Sequence, residues 1–165
     1  KREFLGRPDL GRRLSAESVA VVAREGQRGA RVQLVAVDGL SATALNVNLP
    51  RIWPVLLREL GRRGLRTGTP FAVSLGRVAA GDDVARRSGA ELLVTLVGER
   101  PGLKTAESMG AYITYMRGRR FNEAMRFVVS NIHAGGLPPG EAAVQIAELC
   151  ARGLSAKRTG VDFSA

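Results

Sequence analysis

"LLVTLVGERPGL", residues 92–103, begins with a nearly unbroken apolar run and turns directly into charged residues. A short run rich in Leu and Val, apolar on both faces, is typical of a strand buried on both sides in a parallel sheet. Glu99 and Arg100 follow the run, and Pro101 and Gly102 come next. Proline fixes its own φ and biases the preceding residue to an extended conformation, while glycine permits a sharp turn. The stretch therefore predicts a buried strand that presents a carboxylate on a stiffened loop.

The residues before this stretch alternate between strand and helix patterns. A strand is predicted over residues 32–37, a helix follows Ser41, and a second strand lies within residues 70–83. With the strand of the opening stretch, residues 32–98 read β-α-β-α-β, which is the wiring of a Rossmann-like sheet. The predicted fold class is therefore α/β, with a Rossmann-like, mostly parallel sheet flanked by helices.

The remaining segments complete one predicted domain. "SMGAYITYM" (108–116) and "RFVVSNIH" (126–133) predict two further strands, and a helix starts at the proline pair 138–139. Residues 1–26 are predicted to form an N-terminal lead-in and a helix. Because no stretch has the composition of a linker, residues 1–165 are interpreted as a single α/β domain.

Composition narrows the classes of function. The 25 Lys and Arg residues outnumber the 15 Asp and Glu residues, so the net charge of +10 raises the hypothesis of a polyanionic partner. Only 5% of the residues are aromatic, which is few for a surface that stacks nucleic-acid bases. Solvated basic faces, or docking to an acidic partner, are therefore favoured over a nucleic-acid-binding module.

Cysteine content and hydropathy indicate the setting. Cys150 is the single cysteine, which excludes an internal disulfide and favours a reducing, cytoplasmic environment. No apolar run approaches the roughly 20 residues that cross a bilayer, so no membrane association is expected. The chain begins with neither Met nor a signal peptide, and we interpret it as the remainder of a longer protein.

Polar residues follow three of the predicted strands. They form the pairs Asp38-Gly39, Gly76-Arg77 and Glu99-Arg100. Ligands of parallel sheets bind outside the carboxyl ends of the strands, so the sequence predicts a ligand or partner site at this edge. For the pair Glu99-Arg100, a purely structural ion pair or turn is an equally good interpretation.

The segment "GRVAAGDD" (76–83) is superficially similar to a phosphate-binding loop. It has Asp82 and Asp83 where a P-loop places Lys and Ser or Thr, which excludes a nucleotide site of that kind. The favoured interpretation is a strand-to-helix turn in which Asp82 caps a short helix over residues 83–88. A backbone that faces a ligand is the alternative.

A catalytic triad of Asp38, Ser41 and His133 is the obvious candidate for hydrolysis. No G-x-S-x-G elbow surrounds Ser41, and capping of the following helix explains this serine without catalysis. His133 is better interpreted as a surface or interface residue than as a general base. The sequence therefore offers no credible acid-base pair for a self-sufficient enzyme.

Five motifs occur in one order, and together they carry a resemblance to a known family. They are "DGLSA" (38–42), "GRVAAGD" (76–82), "GERPGL" (98–103), "SMGAYITY" (108–115) and "SNI" (130–132). In this combination, with "RPDLGRR" (7–13) before them, the chain resembles the small subunit of ethanolamine ammonia-lyase, an adenosylcobalamin-dependent enzyme.

The resemblance implies a concrete function. The enzyme converts ethanolamine to acetaldehyde and ammonia by a radical route, and a TIM-barrel large subunit binds the substrate. The cobalamin lies between the two subunits, several large–small pairs assemble, and the complex resides in the cytoplasm or in a bacterial microcompartment. The cofactor keeps its own lower base on cobalt, so His133 is not expected to be a metal ligand. This chain is not expected to be active alone.

The family's cofactor contacts can be transferred residue by residue. They fall on Val78, Glu99 and Val128, with no catalytic residue and no metal ligand on this chain. Val128 replaces a family cysteine, and His133 replaces the arginine usual after Ser-Asn-Ile. The family's longer N-terminal region, which helps to bind the large subunit, is missing from this sequence. A subunit that has diverged to another small amino alcohol is the alternative within the family.

Overall fold

Five strands and four helices make up the described part of the chain. The computed structural model describes residue 7, residues 9–100, residue 102, and residues 105–118 and 123–160. The strands are β1 (Val32–Val37), β2 (Phe71–Val73), β3 (Leu92–Gly98), β4 (Met109–Tyr115) and β5 (Arg126–Ile132). The helices are α1 (Ala16–Glu25), α2 (Ala42–Arg62), α3 (Val78–Ser88) and α4 (Pro139–Ala156). None of these helices combines the length and the apolar character needed to cross a bilayer.

The strands form one mixed sheet in the order β2-β1-β3-β4-β5. Strand β1 pairs in parallel with both β2 and β3, as predicted for residues 32–98. The prediction of a mostly parallel sheet is wrong for the other half, because β4 is antiparallel to both β3 and β5. Parallel neighbours need a crossover of about a dozen residues or more, usually with a helix. The connection from β3 to β4, residues 99–108, is shorter than such a crossover, so β4 runs antiparallel to β3.

Helices cover the sheet on both faces. Helices α2 and α4 pack over one face, where the largest apolar cluster includes Leu34, Leu96 and Ile146. Helices α1 and α3 cover the other face, against the alternate residues of the same strands. Every residue of β1 and of β3 is buried, which explains why both runs are apolar except for Gln33 and Thr95.

The start of α3 corrects the predicted role of Asp82. The helix begins at Val78 rather than after Asp82, and Arg77 occupies the N-cap position without a side-chain capping bond. Asp82 lies inside the helix, buried, and accepts two hydrogen bonds from Arg126 on β5. A partner supplied by a distant strand cannot be recognised from residues 76–83 alone.

Ser41 caps α2 as predicted, and we expect its replacement to be costly. Its Oγ accepts from the Ala44 N–H at 3.1 Å and donates to the Ala106 carbonyl at 2.6 Å. Ser41→Ala should lower the free energy of unfolding in urea by about 2 kcal/mol, the upper end for a lost cap, because Ser41 is also buried. The matched control is Ser15→Ala, which removes the exposed cap of α1 and should cost about 0.5 kcal/mol. Equal losses of stability in the two variants would contradict the claim that burial makes the Ser41 cap worth more than the exposed Ser15 cap.

Candidate functional site

A cavity of about 640 Å³ opens at the carboxyl ends of β1 and β3. Strand β2 follows β1 in the chain and lies on one side of it, while β3 lies on its other side. The switch point of the parallel half is therefore between β1 and β3. Crevices at such switch points are the usual ligand sites of α/β sheets. The loops after β1 and β3 and the start of α3 contribute to the cavity, which lies at the edge for which the polar strand ends predicted a ligand or partner site.

The cavity brings together the three residues singled out for cofactor contact. Val78, at the first turn of α3, Glu99, directly after β3, and Val128, on β5, all line it. Val128 has 53% of its surface exposed, so its side chain is available to a large apolar partner. Residues far apart in the sequence thus share one concave surface, and their contact with a cofactor stays a prediction.

Hydrogen bonds to Ser108, the residue before β4, hold Glu99 in place. The Ser108 Oγ donates to its Oε2 at 2.8 Å, and the Glu99 N–H donates to the Ser108 carbonyl at 2.9 Å. A Cβ on Gly110 would overlap the Glu99 Oε1, so a larger residue at that position would displace the carboxylate. Pro101, to which the sequence assigned the stiffness of this loop, lies outside the described residues. In the part that is described, Ser108, directly before β4, orients the carboxylate.

Glycines bring the loops after β1 and β3 into direct contact. A Cβ on Gly98 would overlap the carbonyl oxygens of Ser41 and Asp38. The Leu40 N–H donates to the Gly98 carbonyl at 2.9 Å, and the Asp38 Oδ1 accepts from the Gly76 N–H at 3.2 Å. Close packing at this edge of the sheet therefore explains Gly39, Gly76 and Gly98, one glycine from each of the three motifs.

Comparison with known proteins identifies the family. A sequence model of the family described as ethanolamine ammonia-lyase light chain matches residues 1–164. The chain belongs to the ethanolamine ammonia-lyase light-chain family. This confirms the resemblance drawn from the five motifs.

Relatives in this family are longer than the chain. The ethanolamine ammonia-lyase small subunit of Fusobacterium nucleatum is 47% identical over 163 residues, which cover 99% of this chain and 55% of the relative. Proteins of the same name from Clostridium tetani and Clostridium acetobutylicum are 44% and 40% identical over 99% of this chain, and the match covers 55% and 67% of their own lengths. The chain thus spans roughly half to two thirds of these light-chain relatives.

The triad hypothesis finds no support in this light-chain fold. Ser41 is used in capping α2, and Asp38 accepts from the backbone of Gly76. His133, after the end of β5, contacts the Asn131 Oδ1 through Nε2 at 2.8 Å and accepts from the Gly135 N–H at Nδ1. Each side chain therefore has a local structural role. Across the described residues, no three His, Cys, Asp or Glu side chains come together as metal ligands.

Two cavity residues of this family member escaped the sequence analysis. Tyr112 on β4 lies opposite Val128 in the strand register, and Arg126 shares the face of Val128 two residues before it. The alternation of side chains along a strand shows which residues share a face. To place Tyr112 and Arg126 beside Val128, the pairing of β4 with β5 must also be known. Sequence patterns predicted both strands without that pairing.

Tyr112 reports on the electrostatics of the cavity. Burial raises the pKa of its phenol, the Glu99 carboxylate raises it further, and Arg126 opposes the shift. Because the folded-state pKa is raised, the stability contributed by the neutral phenol is complete below the unfolded pKa of about 10 and is lost as the pH rises through the folded value.

Replacement of the carboxylate should therefore change this titration. In Glu99→Gln the pKa of Tyr112 should be lower than with Glu99 present, because one negative charge has been removed. Tyr115 is the other tyrosine, so phenolate absorbance in a Tyr115→Phe background isolates Tyr112. An unchanged or higher pKa would show that Glu99 does not act on the phenol.

Proposed function

We propose that this chain is the small subunit of ethanolamine ammonia-lyase and forms one side of the adenosylcobalamin pocket. The enzyme would release ammonia and acetaldehyde from ethanolamine, with the substrate bound by a large subunit. The observation that carries the proposal is the convergence of Val78, Glu99 and Val128 on one cavity, in a chain of the light-chain family. A single Rossmann-like cobalamin-binding domain over residues 1–165 is part of this proposal.

The chemistry of the cavity lining supports this proposal. A corrin ring has an apolar periphery and amide side chains, and Val78 and Val128 offer apolar surface while the Glu99 carboxylate accepts hydrogen bonds from amide N–H groups. Tyr112 adds an aromatic surface beside them. Pockets of about 300–1,000 Å³ enclose ligands of drug size, so about 640 Å³ would hold only part of a cobalamin. The size of the cavity therefore favours a cofactor that is shared with a partner subunit.

The residues of this chain would bind and orient rather than react. Glu99, fixed by Ser108, would set the rotation of the ring by receiving amide donors at one place on its edge. Val78 and Val128 would exclude water from the ring periphery. When bound, the cofactor supplies the radical chemistry of the deamination. No catalytic residue is assigned to this chain.

The family resemblance also supports the proposed assembly and location. The name small subunit, carried by the relatives, implies a large-subunit partner, and we propose a higher oligomer of large–small pairs. The complex would work in the cytoplasm or within a bacterial microcompartment. We assign no nucleic acid and no membrane to this chain as partners.

Co-purification with the large subunit encoded beside this chain tests the proposal. The complex should retain cobalamin, seen in its absorbance, and should release ammonia when ethanolamine is added, whereas this chain alone should do neither. Ammonia release from another small amino alcohol only would assign the diverged substrate. If the chain instead binds nucleic acid with an affinity that falls steeply as salt rises, the basic-module alternative replaces the proposal.

A further inference from the structure

A buried ion pair lies at the base of the cavity, where Arg126 is part of the lining and Asp82 is not. The Arg126 guanidinium on β5 donates to the Asp82 carboxylate on α3 through two hydrogen bonds, with lengths of 2.9 and 2.8 Å. The two side chains are 6% and 3% exposed, so the pair is almost fully removed from water. Arg126 also contacts the Thr114 Oγ1 on β4 at 3.3 Å. One guanidinium therefore connects a helix with two neighbouring strands.

The position of this pair relates it to the cavity. Asp82 lies four residues after Val78 on α3, which places both on the same side of the helix. Arg126 lies two residues before Val128 on β5, which places both on the same face of the sheet. The Asp82–Arg126 pair thus connects the two elements that present Val78 and Val128. On each element, the paired residue is the next one along the same side.

Stability alone is a weak explanation for the pair. Desolvation of two charges offsets most of their attraction, and well-packed apolar side chains often replace a buried pair without loss of stability. Helix α3 is also held on the sheet by apolar contacts, including those of Val84 and Ala85. What apolar residues do not reproduce is the fixed geometry of a two-bond guanidinium–carboxylate contact.

We infer that Asp82 and Arg126 are positioning residues that set the separation between Val78 and Val128, and hence the fit of the cavity to the corrin edge. The inference rests on the proposed function. It assigns no contact with the cofactor to Asp82. Without the pair, α3 would remain packed on β1 and β3, but its spacing from β5 would be set by less directional contacts.

The double variant Asp82→Leu with Arg126→Met separates positioning from stability. Two quantities are to be measured in the complex with the large subunit: the dissociation constant of cyanocobalamin, by absorbance, and the denaturation midpoint of the complex. The midpoint should be unchanged or higher, while cobalamin binds about tenfold more weakly, as is typical when support behind ligand-contacting residues is removed. Arg126→Lys, which keeps the charge but not the two-bond geometry, should also weaken binding and serves if the double variant does not fold.

The control is the second ion pair of α3. Arg87 contacts the Asp83 Oδ1 at 3.1 Å on the exposed side of the helix, so Arg87→Met should leave cobalamin affinity unchanged. Wild-type affinity in both the double variant and Arg126→Lys would overturn the inference while leaving the proposed function intact. A wild-type complex that binds no cobalamin would overturn both. A loss in the double variant that Arg87→Met reproduces would assign the effect to α3 in general and would also overturn the inference.

Discussion

Glu99→Ala is expected to weaken cobalamin binding to the reconstituted complex by roughly five- to 150-fold, because loss of one charged hydrogen-bond partner costs about 1–3 kcal/mol. The carboxylate is already oriented by Ser108 and lies against Gly110. Little conformational entropy would therefore be lost when it receives a ligand donor, which favours the upper part of that range. Absorbance titration with cyanocobalamin measures the dissociation constant directly.

Three further variants sharpen this test. Glu99→Gln keeps an acceptor without the charge and should bind with intermediate affinity. Ser108→Ala keeps the carboxylate but removes the hydroxyl that holds it, so its loss should be smaller than that of Glu99→Ala. Glu148→Ala, an exposed carboxylate on α4 across the sheet, is the control and should bind like the wild type. Wild-type affinity of Glu99→Ala would remove Glu99 from the proposed pocket.

Gly98→Ala is expected to lower the free energy of unfolding by about 3 kcal/mol, at the upper end for overpacking. The added methyl group would meet the Ser41 and Asp38 carbonyl oxygens, and backbone atoms cannot turn away as a flexible side chain can. The end of β3 would have to move away from the loop after β1. Urea denaturation measures the change.

Gly61→Ala is the matched control for this substitution. No atom lies within 4 Å of the added Cβ at that position, and Gly61 is inside α2. Alanine there should stabilise the protein by about 0.5–1 kcal/mol, because it favours the helix more than glycine does. If Gly98→Ala and Gly61→Ala had the same effect, close packing at the end of β3 would not be the reason for Gly98.

Local patterns predicted the strands well and their pairing less well. The runs at residues 32–37 and 92–98 are apolar on both faces, and both strands are buried as expected. The direction of β4 depends instead on the connection through residues 99–108, whose proline and glycine signal a turn without specifying which way the next strand runs. Asp82 was misassigned for a related reason, since its partner Arg126 is distant in sequence.

The residues of the candidate site also fall into those that could be predicted from the sequence and those that could not. Glu99 could be predicted as a candidate contact because a strand end and a family motif coincide there, and Val78 and Val128 could be predicted from the resemblance. Tyr112 and Arg126 could not, because only the register of β4 with β5 places them beside Val128. A site assembled across antiparallel strands requires long-range pairing that a single sequence does not display.

The uneven cover of the sheet has a thermodynamic consequence. Helix α3 packs against β1 and β3, whereas Val128 on β5 shows more than half of its surface to solvent on that same face. A cobalamin bound there would cover the part of this face that the described helices α1 and α3 leave open. Cofactor at 100 times its dissociation constant would then add about 2.7 kcal/mol to the stability of the native state. The supply of cobalamin would thus change the fraction of the subunit that is unfolded at equilibrium.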